Sequence, residues 1–101
     1  MDANLTHFLQ WYRTSNPQKS KATYDAMRYN ITRICKLFEC KFDDLNTDNL
    51  LSDPENTKKL LRDKYSLNTT IQTILGIKWY LLFKGSSNNL VKKYEILLKE
   101  L

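Results

Sequence analysis

The stretch SLNTTIQTILGIKWYLLFKGS, Ser66 to Ser86, constrains the fold more than any other part of this chain. At about 100° per residue, Ile71, Ile74, Leu75, Ile77, Trp79, Leu81 and Leu82 cover a broad arc, and a helix that apolar reads as one the rest of the chain buries. The pattern predicts a helix from Asn68 or Thr69 to Phe83 or Lys84, ended by Gly85. Two residues disturb it. Lys78 projects between Ile74 and Ile71, where an unpaired buried ammonium would cost several kcal/mol. Its charge must therefore reach water, a carboxylate or a phosphate, and the first of these is met if the stem packs and the head escapes at the helix edge. Gly76 costs about 1 kcal/mol relative to alanine inside a helix unless another backbone approaches closely there.

The remaining chain supplies further helices. Leu5, Phe8, Leu9 and Tyr12 recur at helical spacing and predict a helix over 3–14, stopped at Ser15–Pro17 because the residue before proline avoids helical geometry. A second runs from Lys19 or Ser20 to Phe38 or Glu39. Its apolar seam is Tyr24, Met27, Ile31, Ile34, Cys35 and Phe38, and the opposite face holds Tyr29, Arg33 and Lys36. CKFDDLNTDNLL lacks helical period and is rich in turn formers, so it reads as a connection with Phe42, Leu45, Leu50 and Leu51 tacked onto the core. SDPE announces a third helix over 54–64, with Ser52 or Asp53 as cap, Pro54 early in the first turn and Glu55 placed to close a capping box. A fifth starts after Ser86–Ser87 and puts Leu90, Tyr94, Leu97, Leu98 and Leu101 on one face. With only two glycines and two prolines in 101 residues, the expectation is an all-α, compact bundle of four to five short helices forming one domain, 1–101.

Catalysis has little to work with. His7 is the sole histidine, the carboxylates cluster where capping and turns account for them, and there is no phosphate loop, Gly-rich turn or nucleophile elbow. No enzyme activity and no cofactor are expected. Cys35, Cys40 and His7 cannot make a four-ligand zinc site by themselves. A Cys35–Cys40 disulfide is conceivable, but Cys35 falls within the second helix and an intracellular setting favours thiols. No run approaches a membrane span and the start MDANLTHFLQWYR lacks signal-peptide character, so the expectation is an intracellular protein, cytoplasmic or nuclear, without a membrane partner.

The net charge of +5 is unevenly spread. Residues 19–36 carry Lys19, Lys21, Arg28, Arg33 and Lys36 against Asp25, and 56–101 carry nine Lys or Arg against three acids. Between them Glu39, Asp43, Asp44, Asp48, Asp53 and Glu55 face only Lys41. Such polarity suits one basic face turned to a polyanion, though ordinary solvated faces give the same counts. Both Lys19–Thr23 and Ser66–Thr70 offer more hydroxyl and cationic groups than one helix cap needs, and a helix start of that kind suits a phosphate.

LTHFLQWYR, SKATYDAMRYNITRICKLF, FDDLNTDNL and SLNTTIQTILGIKWYLLFKGS, in that order, resemble the N-terminal, SAM-like core-binding domain of the tyrosine recombinase (phage integrase) family across nearly the whole chain. Ser20, Thr23, Leu75, Ile77, Lys78 and the pair Trp79–Tyr80 stand at places matching the family pattern; Met27 stands where the family has tyrosine, with Tyr24 nearby. The resemblance implies a non-catalytic half of a C-shaped clamp around double-stranded DNA, the strand-cleaving residues lying in a separate domain. This chain is then a fragment or a stand-alone relative. The DNA-facing set it implies is Lys19, Ser20, Lys21, Thr23, Tyr29, Arg33, Lys36, Asn68, Thr69, Thr70, Gln72, Lys78 and Lys84. A rival reading is a helical protein-interaction or oligomerisation module, its aromatic and leucine-rich faces, the last helix especially, docking another protein or a second copy of the chain.

Overall fold

A computed structural model describes residues 3–45 and 51–101, apart from the side chain of Ala3. Five α-helices follow in order: α1 (Ala3–Ser15), α2 (Lys21–Leu37), α3 (Pro54–Lys64), α4 (Leu67–Phe83) and α5 (Asn88–Glu100). All regular structure among the described residues is helical. A short 3-10 turn at Phe42–Asp44 lies in the segment expected to be a plain connection. The expected roles of Leu50 and Asp48 lie outside the described residues.

Helix starts follow from local chemistry. Ser20, Asp53, Ser66 and Ser87 each cap a helix by accepting a hydrogen bond from the backbone N–H three residues on. Asp53, not Ser52, caps α3, which sets Pro54 at its first position and leaves Glu55 to pair with Lys58 at 3.5 Å instead of closing a capping box. The ends of α2 and α4 share one geometry. Glu39 (φ 52°) and Gly85 (φ 67°) take left-handed backbone just past the helix. Each is flanked by the two hydrogen bonds of a Schellman motif: Cys40 N–H to Cys35 O (2.9 Å) with Glu39 N–H to Lys36 O (3.2 Å), and Ser86 N–H to Leu81 O (3.0 Å) with Gly85 N–H to Leu82 O (3.2 Å).

α4 packs against all four other helices. Its buried side follows hydropathy only in part. Thr70, Thr73, Ile74, Gly76, Ile77, Tyr80 and Leu81 face inward, whereas Ile71, Leu75 and Trp79 are half-buried and Leu82 is exposed. Gly76 explains the rotation: a Cβ there would lie 2.9 Å from Asn30 Cβ of α2, so the two helices cross where only glycine permits it. Around the C-terminal half of α4 the core is aromatic. Phe8 is fully buried against Trp11, Phe42, Tyr80 and Phe83 at centroid separations of 5.3–6.4 Å. Two buried phenols hold the chain on either side of residues 46–50: Tyr80 donates to Leu45 O (2.6 Å) and Tyr94 to Leu51 O (2.7 Å). Among the described residues no helix is long and apolar enough to cross a membrane.

Candidate nucleic-acid interface

The α2–α4 crossing organises most of the polar groups that the sequence singles out. Arg33 does not stand free on the outer face of α2. It is half-buried, and its Nη1 donates to Asn30 Oδ1 (3.1 Å) on its own helix and to Thr73 Oγ1 (2.9 Å) on α4. Its guanidinium carbon also lies 5.6 Å from the centroid of the Tyr65 ring, just before α4. Thr73 in turn donates to Thr69 O (2.8 Å), so Arg33 is part of a polar tie between the helices. The sequence reading missed Asn30, Tyr65 and Thr73. Asn30, set among the apolar positions of α2 and only 5% exposed, was the one available signal, because the contact with Thr73 spans forty residues.

On the other side of the crossing, Thr23 and Gln72 meet in a shallow cleft of about 230 Å³, lined also by Tyr12, Ala22, Ala26, Asn30 and Leu75. Burial and the neighbouring Tyr24 push the Tyr12 phenol above its ordinary pKa, which keeps a neutral hydroxyl in the wall. Ala22, Ala26, Tyr29, Arg33 and Lys36 follow one another at helical spacing along α2. All except Arg33 are exposed, Tyr29 by 65%. Small residues flanking an exposed aromatic and two cations leave a surface that a flat or convex partner can approach closely.

The hydroxyls at the helix starts are not spare. Ser20 and Thr23 share a hydrogen bond (3.1 Å), as do Ser66 and Thr69 (3.1 Å), each serine also capping its helix. Thr70 is fully buried and its Oγ1 has no hydrogen-bond partner among the described residues, so it cannot touch a ligand outside the bundle; it was expected to face outward with the rest of the run, and it alone turns inward. Ser66 and Asn68 of that run are exposed, as is Gln72 just beyond it. Lys19 is exposed, and Lys21, also exposed, pairs with Asp25 at 3.1 Å.

The other cations are dispersed. Lys36 borders a cleft shared with Glu39, Lys41 and Asp44. Lys84 lies 6.0 Å from the Phe42 ring, beside the acidic 3-10 turn. Lys78 is half-buried with its ammonium 5.7 Å from the Trp79 ring centroid, and no ion pair holds it among the described residues. Lys78 therefore resembles a snorkelling side chain with a cation–π contact more than a member of the α2 surface. Among the described residues no three His, Cys, Asp or Glu side chains gather to hold a metal ion. No protein-family model matches the chain, and no curated protein or solved structure matches it either.

Proposed function

We propose that the domain is a non-catalytic DNA-binding module of the SAM-like core-binding type, which lays the outer face of α2 and the start of α4 against the backbone of duplex DNA. The observation that carries this reading is the α2 face itself: Tyr29 exposed between the small Ala22 and Ala26 and the cationic Arg33 and Lys36, beside a cleft that joins Thr23 to Gln72. Arg33 is held by Asn30, Thr73 and Tyr65, which limits the side-chain freedom it would lose on meeting a phosphate. Lys19, Lys36, Asn68 and Gln72 add exposed donors around it. Thr70 has no part in the surface, and Lys78 and Lys84 lie at its margins. Backbone contacts of this kind draw affinity from counterion release, with log K falling by about 0.9 per unit of log salt for each phosphate neutralised.

The test is fluorescence anisotropy of the purified chain with a labelled duplex across a salt series. Binding should strengthen steeply toward low salt, and Tyr29→Ala with Lys36→Ala should weaken it and flatten the slope while melting stays within about 0.5 kcal/mol of the parent. No binding at roughly 50 mM salt, where phosphate contacts are strong, would overturn the reading. A docking module remains the second reading because Ile96 on α5 is 54% exposed over a cleft lined by Pro54, Lys93 and Leu97. Self-association or partner binding insensitive to salt and lost in Ile96→Glu would favour it.

A further inference from the structure

We propose that Cys35 and Cys40 form a thiol–disulfide site at the C-terminal cap of α2, closed to an intramolecular disulfide by exchange with small disulfides of the glutathione class. Position within a helix argues against pairing with a cysteine five residues on, but the helix ends between them. Glu39 takes left-handed backbone and folds Cys40 back so that its N–H reaches Cys35 O at 2.9 Å. Adding that hydrogen bond to standard backbone bond lengths, with the bend at the carbonyl carbon, limits the Cα separation to at most about 6.8 Å, the upper edge of the span a disulfide accepts. Cys35 and Cys40 also occupy the two positions of a Schellman motif whose side chains commonly touch. In the matching motif at the end of α4, those positions hold Leu81 and Ser86.

Both thiols are half-buried, and both line a cleft of about 490 Å³ through which a small molecule can reach them. Lys36 and Lys41 border it, opposed by Glu39 and Asp44, so a tripeptide disulfide bearing both carboxylates and ammonium groups meets both signs of charge. A metal site is the other common use of paired cysteines. Among the described residues no third ligand joins them. Both sulfurs also lie close enough to the buried Tyr80 phenol to help raise its pKa to about 12, which places the pair against the core.

The chemistry balances in two exchanges. One cysteine thiolate attacks a sulfur of the small disulfide, whose S–S bond breaks and releases one glutathione thiolate with the electron pair. The second cysteine thiolate then attacks the protein-side sulfur of the mixed disulfide and expels the other glutathione. The protein loses two protons and two electrons, and the small disulfide is reduced to two thiols. Burial and Asp44 hold the Cys40 thiol above its usual pKa, which slows exchange near neutral pH without altering its end point.

The full chain is equilibrated in mixtures of reduced and oxidised glutathione, quenched by alkylation and weighed intact, in native buffer and in concentrated guanidinium chloride. The expected native product is two hydrogen atoms lighter than the dithiol, with an equilibrium constant for closure at least about tenfold above that of the unfolded chain, in which only proximity along the sequence acts. Cys35→Ser and Cys40→Ser should each stop at the mixed disulfide. Accumulation of glutathione adducts on the parent chain, persistence of the dithiol, or a native constant no greater than the unfolded one would each overturn the proposal.

Discussion

α2 and α4 carry the same local signals and meet opposite fates. Each is 17 residues long, each opens on Ser-x-x-Thr with the serine as cap, and each ends in a Schellman motif. Yet α2 keeps a long face open to solvent, while α4 touches all four other helices and is buried even at three of its polar or small residues, Thr70, Thr73 and Gly76. Short-range chemistry thus determines where a helix begins and stops. Which side is buried depends on what crosses it, and here that is decided by one close approach between Asn30 and Gly76.

The comparison is most easily broken at the crossing. Gly76→Leu should cost about 3 kcal/mol or prevent folding, because the obstacle at 2.9 Å is the Cβ of Asn30 and not a mobile side-chain tip. The same side chain introduced by Ala22→Leu on exposed α2 should change stability by less than about 0.5 kcal/mol in denaturant titrations. Equal effects would mean that α2 and α4 are equally enclosed.

Next in size is an alkaline transition. Burial raises the Tyr80 and Tyr94 phenols to about 12, against about 10 in the unfolded chain. Between those values the unfolded state binds fewer protons, so folding stability is complete below pH 10 and falls as pH rises toward 12. Each phenol contributes a few kcal/mol at most to that fall, and Tyr80→Phe should make the decline shallower although it lowers the neutral baseline.

The two helix ends offer a smaller test with opposite signs. Glu39→Gly should stabilise by about 1 kcal/mol, since it relieves a left-handed backbone that only glycine adopts without strain. Gly85→Ala should lose about as much, because no atom lies within 4 Å of where the new Cβ would stand and backbone strain is then the whole effect. Smallest of all is Lys78→Met, expected to leave melting within about 0.5 kcal/mol or slightly raised, since only a cation–π contact is lost and the packed stem is kept. A large loss would reveal an ion pair involving Lys78.

Helix number and most ends were legible because each depends on a few adjacent residues: Pro17 after α1, Ser20 and Asp53 before their helices, and Gly85 after α4. α4 itself starts at Leu67, just before the expected Asn68 or Thr69, because Ser66 and not a later residue caps it. The buried face of α4 was legible at Ile74, Ile77 and Leu81 but not at its edges. Leu75, Trp79 and Leu82 outrank Thr70 and Thr73 in hydropathy, yet the threonines face inward, because the close approach at Gly76 fixes the helix rotation. The candidate surface was half legible. Tyr29 and Lys36 project as their spacing requires, whereas Arg33 is drawn inward by Thr73, a residue its own sequence neighbourhood does not announce. Left-handed Glu39 carried no signal either, since glutamate has no preference for that backbone.

Tyr80 and Tyr94 grip Leu45 O and Leu51 O from within the core, fastening the chain immediately before and after residues 46–50. Each bond joins residues far apart in sequence, 35 and 43 positions, so the two hydroxyls act as cross-links between the last two long helices and the middle of the chain. Deleting either one takes the partner from a buried carbonyl, a loss of about 1–3 kcal/mol that no change on the α2 surface would repair.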